Sequence, residues 1–321
     1  MSCLSMLPYS DVLKYWEDRI ERKYKLPFIL TKILEVYSFN KKKEEPVKII
    51  NSEVIIEEAF YENTLKEDPV VDVIVPAYIR TDFDYNCLNR LISILKSQTY
   101  EINNIIIIDD CSPYQYKLDE KEVILYNFNK NQGPANARNK GLEIALKKNA
   151  ELIIFTDVDC VPDNAWVEGF IKRFKEDSKA HILSGKTKSF NKTWLGKYHE
   201  INGTLNGRRF KDSDLLLYGP TCNLAIIREA ACSMRFNTDF PNAAGEDIDF
   251  CFRAIQQGFN IKYCDKAIIN HDFGYKKLTI LKNIKSFMKQ FGKYAKGEKI
   301  LIEQIPEYYS YLNKTEEISS L

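Results

Sequence analysis

The sequence predicts an α/β fold in which a mostly parallel sheet is flanked by helices. Three observations predict it. Short, almost continuous apolar runs rich in β-branched residues are typical of strands buried on both faces, amphipathic segments alternate with these runs, and polar residues follow four of the runs directly. Because ligands bind at the carboxyl ends of the strands in such sheets, those polar residues are candidates for a functional site.

The elements follow one another between residues 70 and 160. The predicted strands are VVDVIVPAY (70–78), NNIIIIDDCS (103–112), EVILYNFN (122–129) and AELIIFTDVDC (150–160). The predicted helices are YNCLNRLISILKSQTY (85–100) and GPANARNKGLEIALKKN (133–149). If the four strands are parallel, their polar exits meet at one edge of the sheet.

The chain of 321 residues divides by composition into three parts. Residues 1–68 have helical periodicity followed by a charged linker, which predicts a helical N-terminal extension. Residues 69–275 form the α/β domain. Residues 276–321 are basic and amphipathic and predict a helical C-terminal tail. This tail has three interpretations: a helix packed on the domain with a solvated lysine face, a lid over a substrate site, or a helix in peripheral contact with a membrane.

The charge and cysteine content limit the function classes. There are 46 Lys and Arg residues against 45 Asp and Glu residues, which argues against a nucleic-acid partner. Eight cysteines are scattered without a CxxC pair, as expected for reduced thiols in the cytoplasm. The N-terminus has no signal-peptide pattern, and no stretch approaches the roughly 20 apolar residues that span a bilayer.

Two carboxylates stand at the exit of the fourth strand. Asp157 and Asp159 are two positions apart, so on an extended strand they face the same side. There they can converge on one hard cation, Mn²⁺ or Mg²⁺, which prefers carboxylate, water and phosphate oxygens and would neutralise a diphosphate. A solvated turn is the alternative, since D-x-D alone is a weak signal.

The other exits offer groups that suit a nucleotide. Gly133 opens a helix whose first turns carry Arg138, and a helix N-terminus with a fixed cation suits a phosphate. Asp109 or Asp110 can accept a hydrogen bond from a base, and Tyr78 can stack on it. Taken alone, Arg138 is equally a surface arginine, and Tyr78 a half-buried core residue.

Acidic residues also begin a later predicted helix. Glu246 and Asp247 follow Gly245 in PNAAGEDIDFCFRAIQQGF (241–259), where they either cap the helix or supply a general base that deprotonates an acceptor hydroxyl. His271, after an apolar run, is either a metal ligand that completes the Asp159 site or a polar strand end.

Taken together, five motifs resemble those of family 2 glycosyltransferases, in the family's order. They are VIVPAY (73–78), IIIIDDCS (105–112), NQGPANARNKG (131–141), FTDVDC (155–160) and GEDIDFCFR (245–253). The resemblance implies the GT-A fold, which is Rossmann-like, and transfer of a sugar from a nucleotide diphosphate sugar with a divalent metal.

The resemblance also implies residue roles. Pro76 and Tyr78 would border the base and Asp110 would bond it, while Arg138 would lie near the base and phosphates. Asp157 would approach the ribose and the metal-bound waters, and Asp159 would bind the metal. Asp247 would act as the general base, and His271 would be a metal ligand. Thr221 and Asn223 would line the pocket for the sugar and the acceptor.

Two positions depart from the family pattern. Ile79 follows PAY where a small polar residue is common, and Cys111 stands where glycine is common. Both lie at the nucleotide end, so they put the base contacts in doubt more than the reaction.

The sequence therefore predicts an inverting, metal-dependent enzyme that moves one sugar from a nucleotide sugar, with UDP-sugar favoured, to a hydroxyl of a glycan, a lipid-linked sugar, a peptide or a small molecule. A nucleotidyltransferase is one alternative, but PAYIRTDFDYN (76–86) lacks the glycine- and lysine-rich loop of that class. A noncatalytic nucleotide-sugar or carbohydrate-binding module is another.

Overall fold

The computed structural model describes residues 56–319, except 57, 60, 119–122, 202, 204 and 276–278. The helical extension predicted for residues 1–68 therefore lies almost entirely outside the described residues. Those of residues 56–68 that are described belong to neither a helix nor a strand.

The predicted strands and helices of the domain are present. The strands are β1 (Val71–Ala77), β2 (Asn104–Asp109), β3 (Ile124–Asn127), β4 (Leu152–Thr156), β5 (Cys160–Pro162), β6 (Ile182–Ser189), β7 (Arg208–Phe210), β8 (Leu216–Tyr218), β9 (Asn223–Ile227), β10 (Ile261–His271) and β11 (Thr315–Glu317). The helices are α1 (Asp82–Lys96), α2 (Pro134–Lys147), α3 (Trp166–Glu176), α4 (Trp194–Ile201), α5 (Arg228–Ser233), α6 (Glu246–Gln256) and α7 (Ile280–Gln304), followed by a 3-10 helix (Pro306–Lys314).

The main sheet has the hydrogen-bonded order β3-β2-β1-β4-β9-β6-β10-β5. Strands β3, β2, β1 and β4 are parallel, as is the pair of β6 and β10. Strand β9 runs antiparallel between β4 and β6, and β5 runs antiparallel to β10. The prediction of a mostly parallel sheet flanked by helices is confirmed, and the exits of β1 to β4 share one edge.

Continuous burial explains why these segments form strands. Ile106, Ile107 and Ile108 of β2 are all fully buried, because helices cover both faces of the sheet. Helix α2 packs closely on β1 at Gly141, where a Cβ atom would lie 2.3 Å from Cγ2 of Ile74. This close contact holds the middle of α2 against β1.

The C-terminal tail packs against the domain through α7. Near the end of α7, Gly297 approaches the loop before α6 so closely that a Cβ atom would lie 2.0 Å from the carbonyl oxygen of Ala244. Leu301 and Ile302 join a buried cluster with Phe240. Near its start, Phe287 packs with Leu195 of α4. The helix therefore extends from α4 to the loop that precedes α6, the helix that begins with Glu246 and Asp247.

Among the described residues, no helix combines the length and the apolar character required to cross a membrane.

Candidate active site at the carboxyl edge of the sheet

Asp110 organises the loop between β3 and α2. The backbone N–H groups of Gln132 and Gly133 donate to its carboxylate at 2.6 and 2.8 Å. Burial raises the pKa of Asp110, and these two hydrogen bonds oppose the rise. Gly133 has φ of +86°, a left-handed value that favours glycine, so the turn into α2 depends on both residues.

Asp109 is held equally firmly within its own loop. Its carboxylate accepts hydrogen bonds from the backbone N–H of Ser112 at 2.7 Å and from the hydroxyl of Tyr116 at 2.6 Å. Asp109 and Asp110 are both buried. In this conformation both carboxylates are engaged by groups of the protein itself, so their predicted hydrogen bond to a base stays a prediction.

The aromatic group at this end is accessible. Tyr78 is 44% exposed, so its ring is free to stack on a flat ligand, whereas Pro76 beside it is half-buried. The half-buried core tyrosine considered from the sequence is not what the structure has. Nearby, the exposed Cys111 has φ of +59°, which explains why glycine suits this position.

Arg138 joins the two acidic parts of the site. It is only 1% exposed, and its Nη1 donates to Glu246 Oε1 at 2.7 Å while its Nη2 donates to Asp157 Oδ1 at 3.2 Å. Burial acts to lower the pKa of the guanidinium, but the two carboxylates outweigh it and raise that pKa. The Nε of Arg138 is buried without a hydrogen-bond partner among the described residues.

Asp157 and Asp159 lie on a tight turn that follows β4. The strand ends at Thr156, and the N–H of Cys160 donates to the carbonyl oxygen of Asp157 at 3.0 Å. The extended geometry assumed from the sequence is therefore wrong at these positions. As a result the two side chains have different partners: Asp157 pairs with Arg138, and Asp159 faces His271.

Strand pairing brings His271 to Asp159. His271 is the last residue of β10 and lies opposite Cys160 in the antiparallel pair with β5. Its Nε2 is 3.4 Å from Asp159 Oδ1, and its Nδ1 is buried without a hydrogen-bond partner among the described residues. Burial raises the pKa of Asp159, and His271 opposes that rise.

These residues fit a divalent cation. Ligand atoms of Asp159, Cys160 and His271 all lie within 4.8 Å of one another, the sole such group among the described residues. A carboxylate and an imidazole suit Mn²⁺ or Mg²⁺ better than a thiol does. Cys160 is the less suitable member of the group, because burial raises the pKa of its thiol well above its usual value and its Sγ donates to the carbonyl oxygen of Cys222 at 3.8 Å.

An aromatic stack that sequence reasoning missed holds His271 in place. The His271 ring stacks on Phe273 with centroids 4.4 Å apart, and Phe273 stacks on His199 at 4.1 Å. His199 Nε2 lies 3.1 Å from the hydroxyl of Tyr275. The signal was present in HDFGY (271–275), where alternate residues of an extended segment are aromatic and share one face.

The second acidic pair begins α6. Glu246 is buried against Arg138, and Asp247 beside it is half-buried, with its carboxylate accepting from the N–H of Ile248 at 2.9 Å. Burial and then the neighbouring Glu246 raise the pKa of Asp247 to about 7, while Arg138 opposes the shift. A carboxylate that titrates near neutral pH is suited to proton transfer.

Two further predicted residues are buried. Asn223 accepts a hydrogen bond from Trp166 Nε1 at 2.7 Å and donates to the carbonyl oxygen of Ala267 at 3.0 Å, so both ends of its amide are used inside the protein. Thr221 is 3% exposed. Their contacts with sugar or acceptor hydroxyls stay predictions.

Comparisons with known proteins identify the family and the fold. Residues 72–234 match the model of "Glycosyl transferase family 2". The pre-mycofactocin glycosyltransferases of two Mycobacterium tuberculosis strains, CDC 1551/Oshkosh and ATCC 25618/H37Rv, are 24% identical over 196 residues, which cover 58% of this chain. The chain spans 40% of the length of these curated relatives.

Two crystal structures have a similar fold. GalNAc-T7 with UDP, GalNAc and Mn²⁺ has a TM-score of 0.51 and 16% identity, and the match covers 64% of this chain and 44% of that one. Residues 1–349 of Staphylococcus aureus TarS in complex with UDP have a TM-score of 0.50 and 16% identity. This match covers 76% of this chain and 73% of that one. At this identity the similarity establishes the fold alone.

The sheet and the helices that flank it have the GT-A fold. This chain belongs to glycosyl transferase family 2.

Proposed function

We propose that the protein transfers one sugar from a nucleotide diphosphate sugar to an acceptor hydroxyl, with inversion at the anomeric carbon. The observation that carries this proposal is the bridge made by Arg138, which bonds Asp157 on one side and Glu246 on the other. Groups from the exit of β4 and from the start of α6 are thereby brought together.

Asp247 is the proposed general base. It removes the proton of the acceptor hydroxyl while that oxygen attacks the anomeric carbon, and the bond from that carbon to the diphosphate oxygen breaks. The carboxylate gains the proton and the nucleotide diphosphate leaves with the electron pair. A pKa of about 7 supports this role, because a stronger base than an ordinary aspartate accepts the proton.

Asp159 and His271 would hold the divalent cation, with Asp157 close by. When bound, a cation of this type stabilises the negative charge of a diphosphate leaving group. The Asp159–His271 distance of 3.4 Å and the unpartnered Nδ1 of His271 support this part of the proposal. The Mn²⁺ and UDP in the GalNAc-T7 structure and the UDP in the TarS structure make Mn²⁺ and a UDP-sugar the first choices to test.

Tyr78, Pro76 and the loop that Asp110 holds against Gly133 form the proposed nucleoside end. The acceptor side is bounded by α7, which packs on the loop preceding Asp247. The acceptor class stays open among a glycan, a lipid-linked sugar, a peptide and a small molecule. The proposal places the enzyme in the cytoplasm, where the seven free cysteines of the described chain remain reduced.

The experiment is a screen of nucleotide sugars by thermal shift, with and without Mn²⁺, followed by an assay of slow UDP release from the sugar that stabilises most. The proposal expects Mn²⁺-dependent release that is lost in Asp159→Ala while the fold is retained. A matched control is Asp212→Ala, since Asp212 is an exposed acidic residue that has no part in the proposed mechanism. Release by Asp159→Ala at the rate of the unmodified protein contradicts the proposal.

A further inference from the structure

Helix α7 carries a continuous row of lysines on its outer face. Its inner face packs on the domain, and six of its lysines are exposed: Lys282, Lys285, Lys289, Lys293, Lys296 and Lys299. Their spacing of three and four residues places them within roughly one third of the helix circumference, along about 26 Å of its axis. The balanced net charge of the whole chain therefore hides a strongly positive stripe.

The positive charge of this stripe is not neutralised by the described part of the chain. No ion pair involves any of the six lysines among the described residues, although many other surface lysines are paired, such as Lys147 with Glu143. Partial desolvation lowers the pKa of Lys293, and the like charges of Arg80 and Lys289 lower it further. Cations are therefore gathered here against their mutual repulsion.

Exposed apolar side chains lie at the N-terminal end of the stripe. Leu281 is 84% exposed at the second position of α7. Trp194 is 42% exposed at the first position of α4, the helix that packs against α7 through Leu195 and Phe287. Tryptophan and leucine beside a row of lysines are the side chains that enter the boundary between headgroups and acyl chains.

We propose that the lysine face of α7 docks on an anionic membrane surface, with Leu281 and Trp194 as shallow apolar anchors. Charge complementarity favours this partner, because the stripe is straight and its cations are spaced along one line. Among the side chains of α7 that the structure describes, none of the exposed ones is an aromatic group of the kind that stacks on the bases of single-stranded nucleic acid.

This surface has a consequence for the acceptor, which rests on the proposed function. The same helix packs through Gly297 on Ala244, three residues before Asp247. With the outer face of α7 on the headgroups, Asp247 would lie at least one helix diameter, roughly 10–12 Å, above the surface. An acceptor hydroxyl carried by a lipid-linked group would have to extend over that distance to reach Asp247.

The experiment is co-sedimentation of the full chain with vesicles of phosphatidylcholine alone, or of phosphatidylcholine mixed with phosphatidylglycerol. We expect binding only to the mixed vesicles, and weaker binding at high salt. The triple variant Lys285→Gln, Lys289→Gln, Lys296→Gln should lose about 100-fold in partitioning, since each lysine near an anionic surface contributes roughly fivefold.

A matched triple variant controls for net charge. Lys147→Gln, Lys172→Gln and Lys266→Gln remove the same number of charges from exposed lysines outside α7 and should leave vesicle binding nearly unchanged. Equal loss in both triple variants, or no binding of the unmodified protein to either vesicle, overturns the proposal. Binding of duplex DNA through the α7 lysines without vesicle binding overturns it as well.

A separate readout keeps this inference apart from the proposed function. UDP release measured without vesicles should be the same in the unmodified protein and in the α7 triple variant. If no release occurs in any protein while vesicle binding still depends on the α7 lysines, the proposed function fails and the membrane surface stands.

Discussion

Arg138 and Glu246 are 108 positions apart in the chain, yet Nη1 of the arginine donates to Oε1 of the glutamate at 2.7 Å with both side chains buried. The same arginine reaches Asp157 at 3.2 Å. One guanidinium therefore connects the exit of β4 with the start of α6. Because a buried arginine that loses its partners is costly, these contacts hold the two acidic parts of the site at a fixed separation.

The first prediction tests this connection. Arg138→Gln removes the guanidinium that pairs with Asp157 and Glu246 and leaves a buried carboxylate unpaired, so it should lower the free energy of unfolding by about 3–5 kcal/mol. Adding Glu246→Gln should restore part of that loss. Chemical denaturation of the two single variants and the double variant measures the coupling. Additive losses would show that the two residues do not act as a pair.

The second prediction concerns the pH dependence of transfer. Asp247 has a pKa of about 7 and must be deprotonated to accept the acceptor's proton. The value of kcat/KM should therefore rise with pH and level off above about 7, whereas an ordinary aspartate would already be saturated near pH 5. A pH profile of the initial rate checks this. A rate that stays constant between about pH 5 and pH 8 argues against Asp247 as the base.

The third prediction concerns Asp72, a buried carboxylate in β1 outside the cleft. Asn104 Nδ2 donates to its Oδ1 at 2.7 Å, its Oδ2 has no partner among the described residues, and burial raises its pKa to about 6. The folded state thus binds this proton more tightly than the unfolded state. Stability should fall as pH rises from about 4 to about 6, by roughly 3 kcal/mol in total.

Asp72→Asn removes this penalty. The variant should have a free energy of unfolding higher by about 1–3 kcal/mol at pH 8 and nearly unchanged at pH 4. Denaturation at the two pH values measures the difference, with the exposed Asp212→Asn as the control. An effect of the same size at both pH values would mean that the charge of Asp72 is not its cause.

The fourth prediction concerns Cys111, whose φ of +59° is left-handed. A side chain in this region costs about 1–2 kcal/mol, and glycine avoids that cost while losing some of the gain to its greater freedom in the unfolded state. Cys111→Gly should therefore raise the free energy of unfolding by about 1 kcal/mol. Cys111→Ser retains the backbone strain and should be neutral. If the serine variant gains as much as the glycine variant, the thiol and not the backbone is responsible.

The sheet edge was predictable from the sequence because it depends on local patterns. The apolar runs of β1, β2 and β4 end directly in polar residues, and parallel pairing then places those residues together. The family motifs indicated which of these polar residues belong to one site. The apolar runs and the motifs are both short, continuous stretches of sequence, so they can be recognised without the structure.

The contacts between distant segments were not predictable in this way. The pairing of Arg138 with Glu246 depends on how α2 packs against α6, and no local pattern specifies that packing. Strand β9 runs antiparallel between β4 and β6, and no local pattern specifies that place or that direction. The separate partners of Asp157 and Asp159 follow from a turn that the D-x-D pattern does not reveal.

The central claim is that Asp159 serves the metal and donor while Asp247 serves the acceptor within one cleft. Calorimetric titration of UDP with Mn²⁺ into Asp247→Asn and Asp159→Ala, together with an assay of sugar transfer, tests it most directly. The account predicts that Asp247→Asn binds Mn²⁺ and UDP like the unmodified protein and transfers no sugar, whereas Asp159→Ala loses that binding. Normal transfer by Asp247→Asn, or unchanged Mn²⁺-dependent UDP binding by Asp159→Ala, would contradict it.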